Sequence, residues 1–474
     1  MIRYGYDNTN PESIEHYAQK LIGKTFLSIV DEDSSEYEDL RESEPEIYQG
    51  LENKERKNYK GKLGQLVEEK YFHYHCNSDS DADFKEAGVE LKVTPYKINK
   101  NGSKSAKERV PLTMINYLDV VNETFEKSHL WNKCRLILFV WYLFNGKDAS
   151  PLAQSIDYVQ LFTPPEEDLK IIIHDYEVIV AKIRAGKAHE LSEGDTMYLG
   201  AAPKAANVNV VRPQPFSNIP ARLRAFTYKN SYMTYVLNNY FIPGKKTYES
   251  IMPKNSSTPF EDYVTNKINV YRGWTVEELA KEFGLRICAK STQAIIAFRI
   301  LGIKNNKAEE FVKANIVVKT IRIQNNNKIK ENMSFPAFKF KELAAETWED
   351  STFGNYLRET KFFFVVYKFG DDGKLRLQGC QFWNMPYKDI EGSVKEVWEK
   401  TVHIINDGMI IEKKNGKYSS NLPKTNDNWI CHVRPHAQDS ADTDELPDGR
   451  LFPKQCFWLS NKYIFSQLNE ILKR

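Results

Sequence analysis

The spacing of hydrophobic and polar residues changes period several times along the chain. From Val89 to Thr94 apolar and polar side chains alternate, which predicts a strand entered through a turn at Gly88. Arg135 to Tyr142 is a run of aromatic and β-branched residues and reads as a buried strand, whereas Thr275 to Phe283 places its apolar residues at helical spacing. Between such segments, Phe241 to Pro259 gathers three prolines, a glycine and small polar residues, as a linker does. The expected organisation is two mixed α/β domains, 1–240 and 263–474, joined by a linker over 241–262. Each is expected to be a central mixed sheet flanked by helices.

The two halves resemble each other. Gly88-Val-Glu-Leu-Lys-Val-Thr matches Asn315-Ile-Val-Val-Lys-Thr-Ile, pairing Lys92 with Lys319, and Glu123-Thr-Phe-Glu-Lys-Ser matches Glu346-Thr-Trp-Glu-Asp-Ser. The apolar runs from Arg135 and from Lys361 correspond, as do RAFTYKNSYMTYVL from Arg224 and KQCFWLSNKYIFSQL from Lys454. Conserved order at nearly constant spacing is the mark of a tandem duplication.

Composition narrows the classes. The 474 residues carry 66 Lys and Arg against 64 Asp and Glu, a net charge of +2, so any nucleic-acid footprint has to be local. The six cysteines are scattered without a C-x-x-C pair, and the Met1 end lacks a signal-peptide h-region, so a reduced cytoplasmic protein is expected. The longest apolar runs, Leu136 to Phe144 and Phe362 to Tyr367, fall well short of the ~20 residues of a membrane span. The chain also lacks both G-x-x-x-x-G-K-[ST] and G-x-G-x-x-G, so no nucleotide cofactor is expected. His73 and His75, beside Cys76, lack a second ligand pair at zinc spacing, and His189 lacks a second histidine four residues on.

Candidate chemistry lies where the halves differ. The first carries Asp83, then Glu90 and Lys92 two apart on one strand face, an arrangement suited to a hard cation beside a phosphodiester. E-x-K triplets also occur at Glu52, Glu55, Glu359 and Glu412, so the triplet alone says little. In the second half the aligned run from Glu310 has Val317 where Glu90 stands. The first half therefore reads as catalytic and the second as a non-cleaving copy.

Several ordered segments are similar to the MutH endonuclease family: Gly61-Lys-Leu-Gly-Gln-Leu-Val-Glu68, Asp83-Phe with Gly88-Val-Glu90-Leu-Lys92, Ser128-His-Leu-Trp-Asn-Lys133, and Pro203-Lys204-Ala-Ala-Asn. The doubled chain resembles that family's larger type II restriction endonucleases, which cut at GATC. The resemblance implies two tandem MutH-like domains and Mg²⁺ held by Asp83 and Glu90, with Glu68 as a further acid. It also implies a water-activating Lys92 and a second active-site lysine at Lys133. DNA contacts are implied at Lys60, Pro203, Lys204 and Tyr228, with Arg434 and His436 in the equivalent loop of the second half. Ala202 replaces an arginine of the family pattern, which leaves the detail of base contact open.

The function so implied is Mg²⁺-dependent cleavage of double-stranded DNA at GATC by a DNA-induced homodimer, the second domain acting as an allosteric DNA site. The alternatives are a strand-nicking repair endonuclease and a non-catalytic DNA-binding protein.

Overall fold

A computed structural model describes all residues except 1–4, 34–61, 75–80, 147–148, 205–209, 245, 254–255, 257, 288–290, 415–416 and 440. The chain divides into two compact units, Met1–His189 with Thr196–Thr247, and Glu190–Asp195 with Tyr248–Arg474. Among the described residues no helix is long and apolar enough to cross a membrane.

The first unit is built on β1 (Glu90–Ile98), β2 (Lys104–Ala106), β3 (Val110–Met114), β4 (Ile137–Leu143), β5 (Ile156–Phe162), β6 (Leu199–Pro203), β7 (Val211–Gln214), β8 (Ser217–Arg222) and β9 (Arg224–Tyr228). One sheet has the order β2-β1-β4-β5, another β3-β9-β6, and β7 with β8 forms a hairpin. Among the described strands of this unit only β1 and β4 pair in parallel, with Glu90 opposite Ile137 and Lys92 opposite Phe139. Leu91 faces a core made with Leu138, Val140 and the helical residues Ile14, Phe26, Leu66 and Val67. Alternation along β1 then turns Glu90 and Lys92 to the other face.

The second unit comprises β10 (Ile316–Ile323), β11 (Met333–Ser334), β12 (Lys361–Phe369), β13 (Leu375–Trp383), β14 (Ile411–Lys414), β15 (Lys417–Ser420), β16 (Cys431–Pro435), β17 (Thr443–Glu445), β18 (Leu451–Pro453) and β19 (Gln455–Leu459). Its sheets β10-β12-β13 and β11-β19-β16 repeat the first unit's β1-β4-β5 and β3-β9-β6, again with one parallel pair, β10 with β12. The helix leading into that pair is capped alike in both. Ser128 Oγ accepts from Trp131 N and donates to Phe125 O, while Ser351 Oγ accepts from Gly354 N and donates to Trp348 O. Glu123 and Glu346 support the two caps by accepting from His129 N and Thr352 N. Register corrects the sequence match by one residue. Lys319 lies opposite Phe364, so Phe139 corresponds to Phe364, whereas matching Arg135 to Lys361 pairs it with Val365.

The helix expected from Thr275 to Phe283 spans Val276–Glu282, with Thr275 and Glu278 forming a reciprocal capping box. Parts of the segment read as linker are built into the units. Phe241 is buried against Phe139 and Trp141, and Ile251 is buried with its N–H on Glu310.

The turn before β1 is the tightest local constraint. Phe84 and Val89 exchange backbone hydrogen bonds, and Gly88 takes φ +65° with the Arg135 guanidinium packed on it, where a Cβ would lie 2.2 Å from Nη2. Gly88→Ala is expected to cost about 1–2 kcal/mol, mainly from the left-handed backbone. Urea unfolding of the variant checks this, and Arg135→Ala added to it should recover only a small part because Arg135 can swing aside.

Candidate active site

The turn and the parallel pair bring four side chains together. Asp83, immediately before the turn, folds back so that Oδ2 accepts from Leu91 N at 2.8 Å. Glu90 is 2% exposed and accepts from two ammonium groups, Lys92 Nζ to Oε1 at 2.6 Å and Lys133 Nζ to Oε2 at 3.0 Å. Lys133 reaches it from the last turn of helix His129–Cys134, which runs directly into β4 opposite the start of β1. Burial, followed by the Glu90 charge, pushes the Asp83 carboxyl up to about 6, against the pull of Lys92, the Leu91 N–H and Lys133. Two carboxylates thus crowd one another beside two lysines.

Glu68 sits half-buried on the π-helical turn Val67–Tyr71, after helix Leu63–Leu66. Among the described residues no three His, Cys, Asp or Glu side chains are clustered to hold a metal, so Asp83 and Glu90 form a pair without a closed third member. The pair suits a hard divalent cation in donor type. Oxygen ligands are what such an ion takes, and the like-charge repulsion that raises Asp83 is what a cation would relieve.

The expected DNA contacts fall differently. Lys60 lies outside the described residues. Strand β6 starts only at Leu199, because Met197 and Tyr198 give their N–H groups, with that of Leu199, to the wholly buried Asp175 carboxylate at 2.6–2.9 Å. Burial raises the Asp175 pKa despite Lys229 and those N–H groups. Pro203 therefore ends the strand half-buried, and Lys204 is the first residue beyond it, exposed and tied by its N–H to Leu223 O. Sequence reasoning missed Asp175 because a buried carboxylate that serves backbone N–H groups has no motif. Tyr228 corrects the expectation of a DNA contact. It is wholly buried in β9, and its hydroxyl faces Cys134 and Asp168. In the second unit Arg434 is exposed over the Trp458 ring at 5.4 Å, and His436 is exposed with Nδ1 3.4 Å from Cys456 Sγ. Acids near that loop are engaged by lysines, Asp442 with Lys454, Asp444 with Lys339 and Glu445 with Lys341.

At the corresponding place the second unit has Val317 and Tyr356 where the first has Glu90 and Lys133. Val317 and Tyr356 pack on its core, Tyr356 five residues past its capping serine as Lys133 is in the first unit. Glu310, matched to Asp83 by sequence, accepts instead from Ile251 N, Met252 N and Ser250 Oγ. Lys319 donates to Ser334 O, and burial lowers its pKa.

Comparison with known proteins fits this geometry. Residues 72–175 match the family model described as DNA mismatch repair enzyme MutH. The type II restriction enzyme Sau3AI of Staphylococcus aureus is 37% identical over 462 residues, 88% of this chain and 94% of that protein. The chain belongs to the MutH-like family of type II restriction endonucleases. Members are site-specific deoxyribonucleases. The DNA mismatch repair protein MutH of Shewanella woodyi is 31% identical over 152 residues, 32% of this chain and 63% of that protein. That of Vibrio cholerae is 26% identical over 244 residues, 49% of this chain and 97% of its own length.

A carboxyl with a pKa near 6 in the fold and ~3.9 unfolded stabilises the protein fully below about pH 4, and that stabilisation is lost as pH rises through 6. Without divalent ions, Asp83→Asn should therefore be more stable than the natural chain at pH 7.5, by about 1–2 kcal/mol after allowance for partial solvation. Urea unfolding at pH 7.5 and pH 4 checks this, since the difference should vanish at the lower pH.

Proposed function

We propose that the protein cleaves double-stranded DNA at GATC with Mg²⁺ held by Asp83 and Glu90, Glu68 being the further acid of the set. The observation that carries the reading is the Asp83–Glu90–Lys92–Lys133 network, present in the first unit and replaced by Val317 and Tyr356 in the second. The GATC target is supported by the likeness to Sau3AI, which extends through both units. A match of that extent also favours a restriction enzyme over a strand-nicking repair enzyme, because the MutH repair proteins match less than half of the chain.

In this reading Asp83 and Glu90 would hold the ion, which would supply a nucleophile from water near neutral pH and offset charge on the phosphate. Lys92, fixed by Glu90, orients the attacking water on the solvent side of the strand face. Lys133 is too buried to sweep across the substrate, and it holds Glu90 in place from beneath. Water adds to phosphorus, the bond to O3′ breaks, and the 3′ oxygen takes up a proton, leaving 5′-phosphate and 3′-hydroxyl ends. Pro203 and Lys204 approach the bases, lysine being able to donate to guanine O6 and N7.

One catalytic set per chain cuts one strand at a time, so duplex cleavage proceeds through a DNA-induced homodimer. The second unit serves as an allosteric DNA site through exposed Arg434 and His436, with its nearby acids largely compensated by lysines.

Digestion of a plasmid bearing several GATC sites tests the central claim. The natural chain should give fragments ending at GATC with Mg²⁺ and none with EDTA, and Glu90→Ala should lose at least about 10³-fold in rate, as befits removal of a metal ligand. Cleavage by Glu90→Ala at the natural rate would refute the site. For the second unit, Arg434→Ala should slow cutting of two-site plasmids several-fold and leave the slower rate on one-site DNA unchanged. Equal rates for Arg434→Ala and the natural chain on both plasmids would remove Arg434 from the effector role.

A further inference from the structure

Between β6 and β9 the chain inserts the β7–β8 hairpin, and this insertion differs from the rest of the molecule in charge. From Lys204 to Leu223 the sequence carries three basic residues, Lys204, Arg212 and Arg222, and no aspartate or glutamate, in a chain where the two signs are otherwise nearly equal. Arg224 and Lys229 are buried beneath β6, while Lys204 and Arg212 are exposed. The second unit supplies an internal comparison. Its β17–β18 hairpin occupies the same place, between β16 and β19, and the stretch from Ala437 to Pro453 carries five acids and one arginine. Of two copies of one architecture, only the first presents an acid-free insertion.

The hairpin tip is apolar and held rigidly. Phe216 is 75% exposed and adopts φ +62°, a left-handed conformation that is strained for a bulky side chain. Ile219 near it and Val211 at the foot of the hairpin are also exposed. The tip is pinned from below, where buried Gln214 accepts from Ala188 N at 2.7 Å and donates to Ile219 O at 2.6 Å. Gly186 lies so close that a Cβ there would come within 2.5 Å of Phe216 O. The stem is laced to the Lys204 loop, because Lys204 N donates to Leu223 O and Leu223 N to Val210 O.

We propose that the β7–β8 hairpin is a DNA-contacting finger. Phe216 packs against a base step beside the sequence read by the Lys204 loop, and Arg212 lies on the phosphates. This rests on the reading that the chain binds GATC duplexes. A strained, braced aromatic is what such a contact requires, since a wedge that must be ordered on binding loses part of what stacking gains. The absence of acids lets the backbone approach without repulsion.

The test measures binding of the full chain to a GATC duplex by fluorescence anisotropy across a salt series, with Ca²⁺ or EDTA in place of Mg²⁺. Phe216→Ala should weaken binding roughly ten-fold at every salt concentration with the salt slope unchanged, and Phe216→Trp should restore it. Arg212→Gln should reduce the slope of log affinity on log salt by about one. Because both side chains are exposed, thermal unfolding of all three variants should match the natural chain. Natural affinity and slope in every variant would overturn the finger alone. So would a Phe216→Ala effect confined to the sedimentation of the free protein, which would make the tip a contact between copies. A natural chain that binds no GATC duplex would overturn the functional reading and the finger with it.

Discussion

Glu90 is a carboxylate with almost no access to water, and the first unit is arranged to make that tolerable. A buried charge without partners costs several kcal/mol, so its two oxygens need cations that cannot drift away. Lys92 comes from the same strand and face, two residues on, while Lys133 comes from a helix far along the chain. Parallel pairing of β1 with β4 satisfies the second need, because it sets the start of β4, and hence the end of the helix leading into it, beside the start of β1. The turn at Gly88 then returns Asp83 to the same strand end. An antiparallel pair would put the far end of β4 there and leave Glu90 without its second ammonium.

The second unit shows the same scaffold relieved of that demand. Its parallel pair, capped helix and second sheet persist, yet Val317 and Tyr356 join the core where the first unit holds Glu90 and Lys133. Having Val317 and Tyr356 at both positions leaves neither a buried Glu90 nor a buried Lys133 without its partner, and apolar substitution of such a pair is well tolerated in model systems. Glu310 was kept and turned to another task, accepting backbone N–H groups of the segment that enters the unit. The same scaffold is thus built in the second unit without the Glu90 and Lys133 charges.

What was legible in the sequence follows from the range of each interaction. Glu90 and Lys92 share a face because a strand has period two, a local rule that needs no knowledge of the fold. The duplication was legible because apolar strands and capping serines constrain residue type strongly, although the register, fixed by cross-strand packing, was misjudged by one residue at Phe139. Asp175 and Gln214, which position the Lys204 loop and the hairpin, carried no signal, since their partners are backbone groups of distant segments. Tyr228 was misplaced for the opposite reason, since resemblance carried a residue onto a position that burial removes from solvent.

Folding and reactivity are separated by how charge is divided within the site. Glu90 is satisfied internally by two lysines, so the network forms without any external ion. Asp83 is not so satisfied. It receives one backbone N–H, and both burial and the neighbouring carboxylate press it toward its neutral form. The unbalanced negative charge of the network is therefore concentrated on the less buried acid, Asp83. Placing the strain on half-buried Asp83 instead of Glu90 keeps the fully buried partner fixed. With its carboxyl titrating near pH 6, Asp83 is largely ionised at neutral pH, so a divalent ion arriving there would have only the repulsion with Glu90 to relieve.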